Sequence, residues 1–351
     1  MDGLNLPQLI LGTMDRRQGT DGERIELFIE AFESGLTAFD TAPLYNFGGA
    51  EKQLGKALDS IPRELVLVLT KVGLRWDGDA HGDVLFEYAD DSGNMRRVRK
   101  DSRPESILQE VDMSLDRLGL ETLDLVQIHH PDRHVPIGES MGALLDLMHG
   151  GKLRHIGVSN FTPQEVSAAH AALGEIPLAT VQQDYSLVRR EIECNLIPLC
   201  QAQSIDLIVY SPLGEGMLAG KPAPSSHKGF QQIADVVKSV LLPIADRHNV
   251  SLAAVALAWV TGRSGITSAI TGASTSKQLQ DQAQAFQCVL LEEEMDELTR
   301  AFAKTPLPFH WELQSSQLER MVRTCKAGLG SALRRMGMDP GKIRRRLRSS
   351  R

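Results

Sequence analysis

Four residues in the first 130 positions close or follow short apolar runs, and their types suit proton chemistry. Asp40 lies in Phe39-Asp40-Thr41-Ala42-Pro43-Leu44-Tyr45, Lys71 ends Leu69-Thr70-Lys71, and His129 ends Gln127-Ile128-His129. If these runs are strands of one sheet, the Asp, Lys and His reach the same rim. Tyr45, five residues beyond Asp40, can fold back over it. A free tyrosine ionises near about 10, too high for ready proton exchange at neutrality. A neighbouring ammonium favours the phenolate, provided a carboxylate keeps the lysine charged and oriented. Asp40, Lys71 and Tyr45 in line thus make a tuned proton donor, and His129 can hold a substrate oxygen. The set contains neither a good nucleophile nor a metal cage. It suits protonation of a carbonyl oxygen while hydride arrives from elsewhere, and because no side chain supplies hydride, a cofactor is implied. Any one of these residues alone is more often a structural hydrogen-bonding group. Their recurrence at the ends of neighbouring runs is what argues for chemistry.

The elements that must position them are legible as short apolar runs at residues 9–11, 36–40, 65–71, 123–129, 155–159, 178–182, 207–211 and 268–271. These runs are mostly continuous rather than alternating, as expected of parallel strands buried on both faces. Helical spacing appears between them at 22–34, 51–58, 104–118, 138–149 and 163–173. Ser102 ahead of Pro104-Glu105 and Thr162 directly before Pro163 read as helix starts, and Leu118-Gly119 and Leu173-Gly174 as glycine stops. Repeated strand–helix units predict an α/β fold, a (β/α)8 TIM barrel with a C-terminal extension. A Rossmann fold wants G-x-G-x-x-G after its first strand, and Leu11-Gly12-Thr13-Met14-Asp15 does not supply it. The barrel is expected over residues 1–304. Residues 305–351 form the extension, with a substrate-side loop, a helical stripe over 317–336 and a basic tail. Residues 73–101 read as a long polar loop after the third strand and a candidate pocket wall.

Composition sets outer bounds. The 351 residues are 42% hydrophobic and 24% charged, an ordinary globular balance that excludes collagen-like, coiled-coil and wholly disordered chains. Apolar runs fall well short of the roughly 20 residues a membrane span needs, and the N-terminus lacks a basic region before its apolar run, so a soluble, cytoplasmic protein is expected. Four cysteines in a chain of this length do not read as a disulfide framework or a zinc site. The net charge of −7 is uneven: eleven Lys/Arg against two acids lie from 317 to 351, leaving −16 on the preceding residues. The acidic body argues against general nucleic-acid binding. Ile343-Arg344-Arg345-Arg346-Leu347-Arg348 suits either a solvated end or contact with an anionic surface or partner of unknown identity.

Several motifs in order resemble the aldo-keto reductase superfamily. They are Phe39 to Tyr45 with Ala50-Glu51 and Leu54-Gly55-Lys56-Ala57-Leu58, then Thr70-Lys71-Val72-Gly73 and Asp124-Leu125-Val126-Gln127-Ile128-His129. Gly151-Lys152-Leu153-Arg154-His155-Ile156-Gly157-Val158-Ser159-Asn160-Phe161, Val209-Tyr210-Ser211-Pro212-Leu213 and Ile270-Thr271-Gly272-Ala273-Ser274 follow. The resemblance spans about Leu9 to Leu298. It implies a barrel that binds NADPH, or NADH, in extended form, with Tyr45 as general acid, Lys71 and Asp40 tuning it, and His129 orienting the carbonyl. His130 fills an adjacent slot that varies in the family and is left out of the set.

By the same resemblance Ser159, Asn160 and Gln182 hold the nicotinamide carboxamide, Gln182 being favoured over Gln183, and Tyr210 stacks on the ring. Ser211, Leu213, Gly216 and Leu218 line the pyrophosphate. Gly272, Ser274, Gln278 and Gln282 take the adenosine end, where Lys277 is the one cation of the 272–282 stretch. NADPH is expected, and NADH is admitted because a 2′-phosphate prefers charge-assisted partners. Trp76 and Trp311 are the candidate substrate walls, with Met14 similarly placed. The expected activity is reduction of an aldehyde or ketone. The alternatives are oxidation of a sugar or similar hydroxyl compound, and a cofactor-binding regulatory subunit that senses redox state.

Overall fold

The computed structural model describes residues 3–14, 20–78, 80–89, 94–222 and 228–305. Eight parallel strands close into a barrel. They are β1 (Leu9–Gly12), β2 (Ala38–Asp40), β3 (Leu67–Val72), β7 (Leu123–Ile128), β8 (Leu153–Ser159), β9 (Thr180–Asp184), β10 (Asp206–Tyr210) and β11 (Ser268–Thr271). β1 pairs with both β2 and β11, which completes the ring. Outside lie α1 (Asp21–Glu33), α2 (Gly49–Leu58), α3 (Pro104–Leu118), α4 (Ile137–His149), α5 (Pro163–Ala172) and α6 (Leu196–Gln203). The second half adds α7 (Lys228–Val236), α8 (Leu242–His248), α9 (Leu252–Thr261), α10 (Ser276–Ala283) and α11 (Glu292–Phe302). Among the described residues no single helix is long and apolar enough to cross a membrane.

The barrel has two cores because strand side chains alternate. Leu9, Leu11, Phe39, Val68, Val126, Val181 and Val209 face outward into the large layer shared with the helices. Ile10, Ala38, Leu69, Leu125, Ile208 and Ile270 form a small separate cluster inside the ring. Both faces of each strand are thus buried, which is why the runs read as continuous rather than alternating.

Three expectations need correction. Residues 73–101 are not a polar loop: β4 (Leu74–Arg75), β5 (Val84–Ala89) and β6 (Met95–Lys100) make an antiparallel sheet in the order β4-β6-β5. The arginines of Met95-Arg96-Arg97-Val98-Arg99-Lys100 hide a strand that buries only Val98, against Leu44 and Leu74. Ser102 does not cap α3; the cap position is Arg103, directly before Pro104, and no side chain caps the helix. Ser102 sits one residue too early, and it is buried with its amide on Asp132 and its carbonyl accepting from Ser140. Residue 65 belongs to a 3-10 turn, Arg63–Leu65, rather than to a strand. Thr162, by contrast, makes a full capping box with Glu165, and Gly119 closes α3 at φ 67°. Trp311, the 317–336 stripe and the basic tail lie outside the described residues.

The inserted sheet is rooted on a buried acid. Glu110 of α3 accepts a hydrogen bond from the Gly73 amide at 3.0 Å, and its other oxygen has no partner among the described residues. Burial pushes this carboxyl up to about 8, against the pull of the Gly73 amide and Arg75. The folded protein therefore keeps a proton there that the unfolded chain loses above the ordinary value of 4.5. Stability accordingly falls as pH rises from that value to about 8, then levels. In urea titrations, Glu110→Gln is expected to gain stability over the wild type progressively across this window and to match it near pH 4.5.

Candidate active site

Strand alternation turns a row of polar side chains into the upper barrel. Above the apolar cluster, the next inward positions are Asp40 on β2, Lys71 on β3, Gln127 on β7 and Tyr210 on β10, and Gln182 on β9 joins them, two positions after Thr180. They are joined to one another. Lys71 Nζ donates to both Asp40 oxygens at 2.7 and 2.6 Å and to the Thr41 carbonyl at 3.1 Å. Gln182 Nε2 donates to Asp40 Oδ1 and to Gln127 Oε1, both at 2.9 Å, and Gln127 Nε2 donates to Thr180 Oγ1 at 3.0 Å. Asp40 and Lys71 are almost completely buried. Burial opposes charge on Lys71, but Asp40 and Tyr45 outweigh it and hold the ammonium above its ordinary value.

Tyr45 follows in a tight turn and brings its Oη within 3.4 Å of Lys71 Nζ. His129 leaves the end of β7 with its amide on the Val72 carbonyl and its ring edge-on to Tyr45 at 6.0 Å. Burial first, then Lys71 and His130, lower His129 well below its ordinary value, so the imidazole is neutral at physiological pH. A cation, a phenol and a neutral imidazole thus meet at one point.

That point opens on a cavity of about 710 Å³. Asp40, Tyr45, His129, Ser159, Asn160, Gln182 and Tyr210 line it. So do Ser211, Leu213 and Gly216, and Gly272, Ser274, Gln278 and Gln282. Asn160 (φ 62°) and Ser211 (φ 55°) both adopt the left-handed conformation, which costs a side-chain-bearing residue about 1–2 kcal/mol. For Asn160 the return is a set of bonds: it donates to the His129 carbonyl and Ser159 Oγ, and accepts from Tyr210 Oη at 2.6 Å. Burial raises the Tyr210 phenol well above its ordinary value, so it remains a neutral donor.

Not every expected residue arrives. Leu218 is buried among the helices, does not line the cavity, and spends its amide on the Leu213 carbonyl. Trp76 turns toward Phe47 and does not line the cavity; the apolar wall comes from Leu85 and Phe86 of the inserted sheet, with Met14 and Leu44. Gln127, Thr180 and Gly157 are additions to the expected set. Two of them stand two positions before His129 and Gln182, so period-two counting from those residues would have found them. Gly157 has a steric role. A Cβ there would meet Thr180 Oγ1 at 2.1 Å and Gln127 Cγ at 3.0 Å, in the middle of the relay.

The cavity wall carries polar groups that a ligand would satisfy. Thr271 Oγ1 and Gln282 Oε1 are buried without partners among the described residues, and both residues line the cavity. Buried orphaned polar atoms are costly unless a ligand meets them. Gly216, at φ 88°, holds a backbone conformation a side chain would resist, and Lys221 lies against it as a cation on the cavity wall. Glu215, on the same stretch, is compensated by Arg189 at 3.5 Å. Gly157→Ala is expected to fold but to lower turnover at this site by roughly ten- to a hundredfold, because the relay holding Asp40 must shift. Steady-state kinetics beside circular dichroism check this.

The sequence model described as the Aldo/keto reductase family matches residues 8–302. An Escherichia coli (strain K12) protein named NADH-specific methylglyoxal reductase is 33% identical over 276 residues, 74% of this chain and 82% of its own. An aldo-keto reductase of Bacillus subtilis (strain 168) is 32% identical over 279 residues, 75% of this chain and 78% of its own. The solved structure of a glycerol dehydrogenase from Gluconobacter oxydans superimposes with a TM-score of 0.76 at 30% identity, covering 88% of this chain and 96% of that one.

Proposed function

The chain belongs to the aldo/keto reductase family, and on that premise we propose that Tyr45 is the acid in a nicotinamide-dependent reduction of a small carbonyl compound. The observation that carries this reading is Lys71 Nζ placed between the Asp40 carboxylate and Tyr45 Oη. When bound, the nicotinamide supplies hydride. The neutral His129 donates an N–H to the carbonyl oxygen and fixes it beside the phenol. Tyr45 gives that oxygen its proton, and Lys71 stabilises the negative charge left on Oη. Asp40 keeps Lys71 charged against burial, which opposes the charge. Oxidation of an alcohol uses the same groups in reverse.

For the cofactor, Gln182 has its amide nitrogen committed to Asp40 and Gln127, which leaves its oxygen to accept from the carboxamide. Ser159 and Asn160 line the same cavity, Tyr210 offers its ring to the nicotinamide, and Lys221 suits the pyrophosphate. Ser211, Leu213 and Gly216 would line that pyrophosphate, and Gly272, Ser274, Gln278 and Gln282 the adenosine. At that end Asp281 lines the cavity, and Lys277 is largely exposed and pairs with Asp281 at 3.3 Å. Gln278 spends its amide oxygen on the Ser274 amide. A carboxylate suits a ribose hydroxyl and repels a 2′-phosphate, which favours NADH over the NADPH expected from the motifs. The E. coli relative carries NADH specificity in its name.

For the substrate, His130 stacks on His129 at 5.4 Å and also lines the cavity. Paired imidazoles under the Leu85 and Phe86 wall suit a compact carbonyl compound with a second oxygen on the adjacent carbon. The names of two relatives mention methylglyoxal and glycerol, whose oxygens stand on adjacent carbons.

Tyr45→Phe is expected to lower kcat/KM for reduction by about 10²- to 10⁴-fold while the cofactor Kd stays within about twofold. Wild-type activity should persist as pH falls through 6.5, because His129 is already neutral there. Turnover of the Phe variant at the wild-type rate overturns the assignment. In fluorescence titrations NADH is expected to bind at least about tenfold tighter than NADPH. Asp281→Ser should narrow that gap, and tighter NADPH binding by the wild type contradicts the reading.

A further inference from the structure

We propose that Phe47 is a positioning residue that ties the turn carrying Tyr45 to the inserted sheet, so that proton donor and substrate wall are held as one unit. This rests on the reading of Tyr45 as the acid. Tyr45 is followed by three consecutive left-handed residues: Asn46 at φ 51°, Phe47 at φ 51° and Gly48 at φ 86°. Glycine adopts this conformation freely, whereas the two residues before it do so against their side chains. Such a turn persists only where its surroundings overdetermine it. Its backbone bonds are local, from the Phe47 amide to Leu44 at 3.2 Å and the Gly48 amide to Pro43 at 2.7 Å. Asn46 is exposed, so it is Phe47 that reaches out.

The Phe47 ring stacks on Tyr88 with centroids 4.5 Å apart and planes at 21°. Trp76 meets it edge-on at 5.5 Å. Both partners come from the inserted segment. Phe86 packs beside Tyr88 at 6.4 Å and faces the cavity itself. Ring contacts therefore run from the substrate wall to Phe47, and two residues of chain complete the path to Tyr45. The geometry at its end is sensitive: the Lys71–Tyr45 bond, at 3.4 Å, stands near the limit of a useful hydrogen bond. A small rotation of the turn breaks it, and misplacement of about 1 Å at a reacting group costs on the order of a hundredfold in rate.

The test compares Phe47→Leu, Tyr88→Leu, their double variant and Tyr88→Phe with Tyr45→Phe in full-length protein. Readouts are kcat, KM, NADH affinity by fluorescence, and the solvent deuterium isotope effect on kcat. Phe47→Leu and Tyr88→Leu are each expected to lower kcat roughly tenfold and to raise the isotope effect as protonation becomes limiting. NADH affinity should stay within about twofold, and the double variant should be no worse than the poorer single one. Tyr88→Phe, which keeps the ring, should behave as wild type. An unchanged kcat and isotope effect in both leucine variants, with Tyr45→Phe inactive, overturns the positioning role alone. Loss confined to the folded fraction, with full kcat per folded molecule, overturns it as well. Retained turnover in Tyr45→Phe overturns the assignment of the acid and this inference with it. If Phe47→Leu does not fold, Tyr88→Leu decides.

Discussion

A lysine ammonium buried inside a barrel is the constraint around which this molecule is arranged. Lys71 is 1% exposed, and desolvation of its charge would cost several kcal/mol if Asp40 did not sit against it. The pair cannot be loosened at one partner without leaving the other charge alone in the interior. That explains the effort spent on Asp40, which receives both Lys71 Nζ and Gln182 Nε2 while Gln127 and Thr180 fix Gln182 in turn. It also explains Gly157, since a larger residue would enter the space these amides occupy. Tyr45 stands where the fixed positive charge emerges toward the cavity.

The barrel makes this arrangement affordable because the inward face of each strand changes character along its length. Leu67, Leu69 and Lys71 take successive inward positions on β3, and Ala38 and Asp40 do so on β2. The lower ring is apolar and dry, and the upper ring is polar and internally bonded. The chemistry thus sits at the C-terminal strand ends, where loops can add to it without disturbing the core. Two such additions shape the site: the left-handed residues Asn160 and Ser211, and the three-stranded sheet that closes one side.

The sequence was most informative where a residue's partners lie on neighbouring strands at fixed register. Asp40, Lys71 and His129 could be placed on one rim because each ends or follows an apolar run, and parallel pairing then aligns them. β11 and α3 emerged at their expected bounds because Pro104, Gly119 and the run of residues 268–271 mark them unambiguously. Legibility failed where local composition misleads. The arginine-rich β6 reads as loop because only Val98 of its six residues is buried. Leu218 matches its motif yet faces the core, because the motif does not record which way a side chain points. Trp76 is an aromatic of the segment after the third strand, but its place in the chain does not say which side of an unrecognised sheet it occupies. The Gln127–Thr180 link was hidden because each residue, taken alone, looks like an ordinary polar strand residue.

The central claim is that charge on Lys71, held by Asp40, supports proton delivery to a carbonyl oxygen. It is tested most directly by single-turnover reduction followed through nicotinamide absorbance. Wild type is compared with Lys71→Met and with Asp40→Asn/Lys71→Met, in which neither charge is left alone. The account predicts that both variants bind cofactor but reduce substrate about 10²- to 10⁴-fold more slowly. Reduction at the wild-type rate by folded, cofactor-bound Lys71→Met protein would contradict it.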